Sequence, residues 1–501
     1  MRPLIQEIQT AHSPESLVES LRGETGIVLL CTSSFESPSA RYSFVAANPF
    51  LVFRSHGSRC EMTQYATRNT HLQFGNPWHL LDSLMSRYEL LDEVDFPFPL
   101  GGCFGYWGYD LKNFVEPKLP RRAANDLELP DCHVGFYDSL VVFDHHLGKT
   151  WIVSTGLAED GSRTETRAAE KASFWRSALS LQPTSGEGKV ARVTSCVPEN
   201  ITSNFSRSEF IGAVTHAQSY IRAGHIYQVN LSHRLTAPCE LSGWDFFQKL
   251  KAVSPAPFSA FLDCGDRSRH CRFQIASSSP EQFLRMSGAH ITTRPIKGTR
   301  PRDVDPTRDA QLAYELQTSS KELAELVMIT DLLRNDLGKV CEYGSVHTPD
   351  LARLEKFAHV QHLVSTVEGR LRKDVTHFAA LASCFPGGSI TGAPKFRAME
   401  IIDELELLSR GPYCGCLGYL GFNRESHLSI TIRTAICKDG LAHFNVGAGI
   451  VADSNPQAEY DETLAKAAGF LAALGAKREI SSLVLRGQAN FHDRLSILRS
   501  H

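Results

Sequence analysis

The sequence lacks any uninterrupted apolar run of the roughly 18–20 residues that a membrane helix needs. Its opening stretch, MRPLIQEIQTAHSPES, has no apolar signal core. Both absences point to a soluble, cytoplasmic protein with no membrane role. No long Lys/Arg run occurs, and the net charge is −3, so nothing favours a nucleic-acid partner. The thirteen cysteines are odd in number and scattered. Cys414 and Cys416 are separated by one residue, and no second pair completes a zinc site. Reduced, buried thiols are the simpler reading. No internal repeat is visible.

What is present is bulk. The chain has 501 residues, 42% of them hydrophobic, enough for a large core and more than one domain. Residues 1–155 read mainly as strands and turns. Gly26–Cys31, Phe50–Phe53 and Ser139–Phe143 are rich in β-branched and aromatic types. Residues 160–182 are charged and Ala-rich with helical spacing. Gln182-Pro-Thr-Ser-Gly-Glu-Gly188 reads as a linker. From about 200 to 480, strands alternate with amphipathic helices.

Three helices matter there. One is expected over about 309–335, with Leu326, Ile329 and Leu333 apolar. A second follows Gly392-Ala-Pro394, with an Ile401, Leu405, Leu408 stripe and a stop at Gly411. A third begins near Asp453-Ser-Asn-Pro456, with Leu464, Ala468 and Leu471 on a face of their own. The first carries Glu322 and Glu325; the third carries Glu459 and Glu462, then Lys466. Residues i and i+3 share a helical face. Any single such pair is most simply a solvated surface. Two pairs brought together would repel, and a hard divalent cation would relieve that.

The flanks of each pair narrow the choice. Glu325 leads into Met328-Ile-Thr-Asp331-Leu-Leu-Arg334-Asn335-Asp336, and Glu462 follows Gly447-Ala-Gly449-Ile-Val-Ala-Asp453. Further segments are Gly224-His-Ile-Tyr227-Gln228-Val-Asn230, Ser279-Pro280-Glu281 and Pro295-Ile-Lys297-Gly298-Thr299-Arg300. Phe385-Pro-Gly-Gly-Ser389-Ile-Thr391-Gly392-Ala393-Pro394-Lys395 and Ile432-Arg433-Thr434 complete the set. In this order the segments resemble the chorismate-utilising enzymes, which include anthranilate synthase component I, aminodeoxychorismate synthase component I, and the isochorismate and salicylate synthases. The resemblance is strong over roughly 200–475 and looser before it.

The resemblance implies an α+β, two-lobed fold of packed antiparallel sheets with helices outside. It divides the chain into an amino-terminal lobe (1–185), a linker (186–203), a chorismate-binding catalytic domain (204–480) and a tail (481–501). It implies Mg²⁺ held directly by Glu325 and Glu462, with Glu322 and Glu459 supporting through water. Arg433, Tyr413 and the amides around Gly447 and Gly449 would hold the enolpyruvyl carboxylate of chorismate. Arginine matches a carboxylate bidentately, and glycine admits an anion close to the backbone. Ser389, His362 and Lys466 would line the ring.

Lys297 bears on the reaction. Anthranilate synthases typically read P-I-A-G-T here, whereas P-I-K-G-T is similar to the aminodeoxychorismate synthases. A lysine amine could add at C2 of chorismate as the C4 hydroxyl leaves, after which ammonia displaces it. Glu281 is the expected acid for that hydroxyl. The amine must be neutral to attack, which burial and a nearby cation would favour. Anthranilate synthesis is the nearest alternative. Isochorismate or salicylate synthesis and a non-catalytic chorismate-binding subunit follow.

Gly101-Gly102-Cys103-Phe104-Gly105 fits the G-x-C-x-G elbow of glutamine amidotransferases. The Tyr106-Trp107-Gly108-Tyr109-Asp110 continuation does not. Ammonia is therefore expected free or from a separate glutamine amidotransferase subunit. In feedback-regulated relatives an L-L-E-S run holds tryptophan. Here Leu29-Leu30-Cys31-Thr32-Ser33 puts cysteine at the acid, so tryptophan inhibition is not expected, while a tightly held structural ligand stays open.

Overall fold

A computed structural model describes residues 2–32, 41–64, 69–90, 96–181, 201–265, 272–357, 360–475 and 486–487. Most of the expected linker and of the tail lies outside the described residues, as does Ser33; at the end of that linker Thr202–Ser203 form a strand instead, paired with Leu235 and Thr236.

The architecture is α+β, built on two large sheets of thirteen and twelve strands. Pairing is antiparallel except where Thr202–Ser203 meets Arg486–Gly487. Both sheets draw strands from both ends of the chain. In the larger, Val28–Cys31 pairs with Phe258–Asp263. In the smaller, Gly102–Trp107 pairs with Cys416–Gly421. Close backbone approach explains the glycines of that strand. A Cβ at Gly102 would lie 2.4 Å from the Leu420 carbonyl oxygen, and one at Gly105 2.1 Å from that of His133. Cys103 is wholly buried between them, and burial pushes its thiol far up. It is a packed residue, not a nucleophile, as the failed amidotransferase match anticipates.

Side-chain alternation assigns the two faces of the larger sheet. Val28, Phe44, Val142, Ala260 and Ile275 point into the core between the sheets. Phe44 meets Tyr419 of the other sheet with ring centroids 5.2 Å apart. Leu29, Val45, Val141, Phe261 and Ala276 point the opposite way, toward Trp175, Phe246, Phe247 and Phe470 of the covering helices.

The helices follow their caps, with three departures from expectation. The span 309–335 is two helices, Pro306–Gln317 and Ser320–Gly338, because Ser319 accepts the Glu322 amide and starts a new N-terminus. The helix after Pro394 ends at Leu405, and Leu408 instead bridges Ala124. In Pro456–Ala473 the buried stripe is Tyr460, Thr463, Ala467, Phe470 and Leu471, so Ala468 faces solvent. No helix of the described residues is long and apolar enough to cross a membrane.

Among the described residues every cysteine is unpaired, Cys414 and Cys416 included. Leu30, Cys31 and Tyr42 line a small gap between the sheets with Tyr419 and His427. Burial pushes the Cys31 thiol up to about 12, so it is neutral.

Candidate active site

The chain passes from one sheet to the other twice near a single point. It leaves the larger sheet at Ser279 and enters the smaller at Gln282. It returns between Ile430 and Thr434. Glu281 lies on the first passage and Arg433 on the second. The two are laced together. Ile430 N–H donates to the Glu281 carbonyl (3.0 Å), Ser278 N–H donates to the Arg433 carbonyl (3.0 Å), and Ser279 Oγ donates to the Ile430 carbonyl (2.6 Å). Arg433 adopts φ +51°, a left-handed conformation that costs a non-glycine residue energy and marks functional positions.

A cavity of about 760 Å³ opens at this seam. Every residue singled out from the sequence lines it: Glu281, Lys297, Glu322, Glu325, His362, Ser389, Tyr413, Arg433, Gly447, Gly449, Glu459, Glu462 and Lys466.

Lys297 reaches the cavity through a bulge. The strand Ile296–Pro301 shifts register against Val360–Arg370 between Lys297 and Thr299, with Gly298 at φ +68°. A Cβ at Gly298 would fall 2.6 Å from Leu316 and 3.2 Å from a Glu322 carboxylate oxygen. This explains the glycine of P-I-K-G-T. Lys297 Nζ stands 4.0 Å from Glu325 Oε2, and its charge acts on Glu281 and Glu462. The amine thus lies among the carboxylates of Glu281, Glu325 and Glu462.

Burial raises the Glu281 carboxyl to about 7, against the opposing pull of the Ser389 hydroxyl, Lys297 and the Ile296 amide. A carboxyl in that range can hold a proton near neutral pH and release it during reaction. His362 bonds through Nδ1 to Thr299 Oγ1 (3.0 Å) and the Gly298 carbonyl (3.3 Å). Burial lowers it, so it is neutral.

The glycine strand Leu441–Ile450 presents free amides. Gly447 lies opposite Ser232, and Gly449 opposite Asn230. The amides of Ser232 and Asn230 bond outward, to Glu406 and the Thr391 carbonyl. Both are therefore non-hydrogen-bonded pairs, and the Gly447 and Gly449 N–H groups point away from their partner strand. On that side pairing with Thr434–Lys438 ends at Phe444, leaving the amides open. A Cβ at Gly447 would lie 2.8 Å from both the Leu231 carbonyl oxygen and Tyr413 Oη. Lys466 Nζ holds this strand through the Gly447 carbonyl (2.8 Å) while pairing with Glu462 (2.7 Å). Arg433 makes no ion pair among the described residues, so a cation faces the cavity beside free amides and Tyr413.

The four glutamates come from the two expected helices. Burial raises Glu325 and Glu459. Burial would also raise Glu462, but Lys466 outweighs it and holds the carboxylate low. Glu322 lies 3.7 Å from Arg300. Among the described residues no three acidic, His or Cys side chains form a ready-made metal cage. Mg²⁺ takes only one or two carboxylates and completes its shell with water and substrate oxygens, so this donor set fits that ion's sparse mode.

Sequence reasoning assigned no role to the supports. Asp336 is buried and pairs with Lys395, which also donates to the Cys384 and Pro386 carbonyls. This clasp carries the turn bearing Ser389. Arg410 is buried on Glu406 and donates to the Ile390 and Asn230 carbonyls, tying that turn to the strand beneath the cavity. Both ends of the first clasp fall inside quoted motifs, a signal that was readable. The Arg410–Glu406 pair carried none beyond its i,i+4 spacing.

Comparison with known proteins agrees with this picture. The family model described as chorismate binding enzyme matches residues 33–472. Anthranilate synthase component 1 of Acetivibrio thermocellus is 37% identical, covering 95% of this chain and 96% of that protein. Aminodeoxychorismate synthase component 1 of Salmonella typhimurium is 39% identical, covering 88% and 91%. The crystal structure of anthranilate synthase component I from Streptococcus pneumoniae superposes with a TM-score of 0.75 at 31% identity, covering 87% of this chain and 93% of that one. The chain belongs to the chorismate-binding enzyme family.

Proposed function

We propose that this enzyme is aminodeoxychorismate synthase component I, which converts chorismate and ammonia to 4-amino-4-deoxychorismate for 4-aminobenzoate and folate synthesis in the cytoplasm. Relatives of this name and of anthranilate synthase component I lie at 39% and 37% identity, so the choice of product rests on the site. The observation that carries it is Lys297, turned into the cavity by the Gly298 bulge, near Glu281, whose carboxyl burial raises to about 7.

Arg433, Tyr413 and the Gly447 and Gly449 amides hold the enolpyruvyl carboxylate, supported by an unpaired cation beside unbonded N–H groups. Ser389, His362 and Lys466 flank the ring. The Lys297 amine forms a bond to C2. The ring double bonds shift and the C4–O bond breaks. Glu281 gives its proton to the departing hydroxyl, which leaves as water. Ammonia then bonds to C4, and the C2–N bond breaks to return the lysine. Glu325 and Glu462, with Glu322 and Glu459 behind them, would hold Mg²⁺, which supplies charge neutralisation at the ring carboxylate. Ammonia comes from a separate glutamine amidotransferase subunit, because the G-x-C-x-G cysteine is buried in a sheet.

Anthranilate synthase component I is the alternative. Purified protein with chorismate, ammonium and Mg²⁺ separates the two. The expected product yields 4-aminobenzoate only after a lyase is added. Direct formation of fluorescent anthranilate with pyruvate would overturn the proposal. Ammonia-independent isochorismate would do so too.

A further inference from the structure

His362 lines the cavity, and one nitrogen fixes its ring. Thr299 lies directly opposite it in the sheet, so both side chains stand on the cavity face. His362 Nδ1 is 3.0 Å from Thr299 Oγ1 and 3.3 Å from the Gly298 carbonyl oxygen. A carbonyl oxygen only accepts, so the proton of the neutral ring sits on Nδ1. The opposite tautomer would set a lone pair against that oxygen.

Nε2 therefore carries a lone pair. It makes no hydrogen bond among the described residues, yet it is not one of the unpartnered atoms sealed from solvent. Burial keeps the ring from taking a second proton, and the Arg433 charge acts the same way. A neutral Nε2 serves only a donor. Chorismate meets the site with two ionised carboxylates, an enol ether and one hydroxyl. That C4 hydroxyl is the substrate's single donor.

We propose that His362 is a substrate-binding residue whose Nε2 accepts a hydrogen bond from the C4 hydroxyl of chorismate. The assignment rests on reading this cavity as the chorismate site. The hydroxyl gives its hydrogen bond to Nε2 and turns an oxygen lone pair to Glu281, which protonates it as the C4–O bond breaks. His362 takes no proton. The oxygen keeps its own hydrogen, gains one from Glu281 and leaves as water. Thr299 and Gly298 act through the ring, by holding its tautomer.

The test is steady-state kinetics of the full-length protein with chorismate, ammonium and Mg²⁺, comparing His362→Leu, His362→Asn and His362→Gln. The 4-deoxy analogue of chorismate serves as a competitive inhibitor. The Leu variant should lose about 10–10²-fold in kcat/KM for chorismate, because a hydrogen bond and the alignment it gives are removed. Its inhibition constant for the analogue should stay within about two-fold of wild type, since the analogue has no hydroxyl to hold. Asparagine puts an amide where Nδ1 was and leaves nothing at Nε2, so it should behave as Leu does. Glutamine can place its carbonyl oxygen near the Nε2 position and should recover most of the loss. KM for ammonium and the half-saturating Mg²⁺ concentration should stay within about two-fold. A ring that only packs would weaken the analogue as much as chorismate, which overturns the proposal. So would an unchanged kcat/KM, or a change confined to ammonium or to Mg²⁺, which would assign the lone pair to ammonia or to a water on the ion. If the Leu variant fails to fold, the Asn and Gln variants decide. If the wild type shows no saturable turnover of chorismate, the reading of the cavity itself has failed, and His362 is not what was wrong.

Discussion

Arg433 and Ser278 are joined where the chain re-enters the larger sheet, the Ser278 amide donating to the Arg433 carbonyl at 3.0 Å. Three residues on from Ser278 lies Glu281, whose own carbonyl accepts the Ile430 amide at 3.0 Å. The anion-holding arginine and the acid are thus set by the same pair of laced passages. Neither can shift without the other, so chemistry and binding are positioned together.

Lys297→Ala should abolish aminodeoxychorismate formation, lowering kcat by at least about 10²-fold. The side chain lies at a partly exposed bulge, so folding should persist, with a melting temperature within a few degrees of wild type. Product analysis by mass spectrometry checks this. Wild-type turnover in the variant would sink the covalent role.

Glu281 ties activity and stability to pH in the same sense, both declining as pH rises. Its proton is lost as pH rises through about 7, so a rate that needs the acid should fall on that limb. Its folded carboxyl sits above its ordinary value of 4.5, so the stabilising protonated state is fully present below that value. That stability is lost as pH rises toward 7. Glu281→Gln should lose about 10²–10⁴-fold in kcat. Yet it should be more stable than wild type at pH 8, by up to about 3 kcal/mol, and no different from it at pH 4. Calorimetry across that range would expose the error if the difference were flat.

Removing Mg²⁺ with a chelator should stop turnover, and adding it back should restore it. Independently of activity, Mg²⁺ should raise the melting temperature of the wild type by mass action. Glu325→Gln and Glu462→Gln should each raise the half-saturating Mg²⁺ concentration at least about 10-fold by that thermal readout. An unchanged Mg²⁺ response would remove those glutamates from the ion's shell.

Gly447→Ala should cost about 1–3 kcal/mol and weaken chorismate, because the new methyl meets a backbone oxygen that cannot retreat. Gly212→Ala, with open space around it in the helix Arg207–Arg222, should be neutral or stabilising by about 0.5–1 kcal/mol. Chemical denaturation measures both.

Much of this site was legible because its residues sit in local signals. Asn455 and Pro456 announce the helix that carries Glu459 and Glu462, and Asn455 caps it through the Ala458 amide. The break before Ser320 was also written locally. Ser319-Ser-Lys-Glu322 has capping-box spacing, but the apolar period continued across it and hid the new start. Leu408 kept a helical phase with Leu405 but left the helix, because a bridge to Ala124 won it. That partner is nearly three hundred residues away, and no local pattern carries it. The same holds for Glu281 and Arg433. Each motif was readable, but that both mark a change of sheet depends on long-range pairing. His362 was readable as a ring-lining residue but its tautomer was not, since the Gly298 carbonyl that fixes it becomes a neighbour only when the strands pair.

Each sheet joins one block of strands from the first third of the chain to one block from the rest at a single seam, and this limits how the protein can be divided. A backbone cut between residues 181 and 201 should leave two polypeptides that co-purify, because each holds a share of both sheets. Made separately, each half would display bare strand edges, Phe258–Asp263 and Cys416–Gly421 on one side and their partners on the other. The pair should regain turnover only on mixing, so grafting the first third onto a relative would require recutting both seams at once.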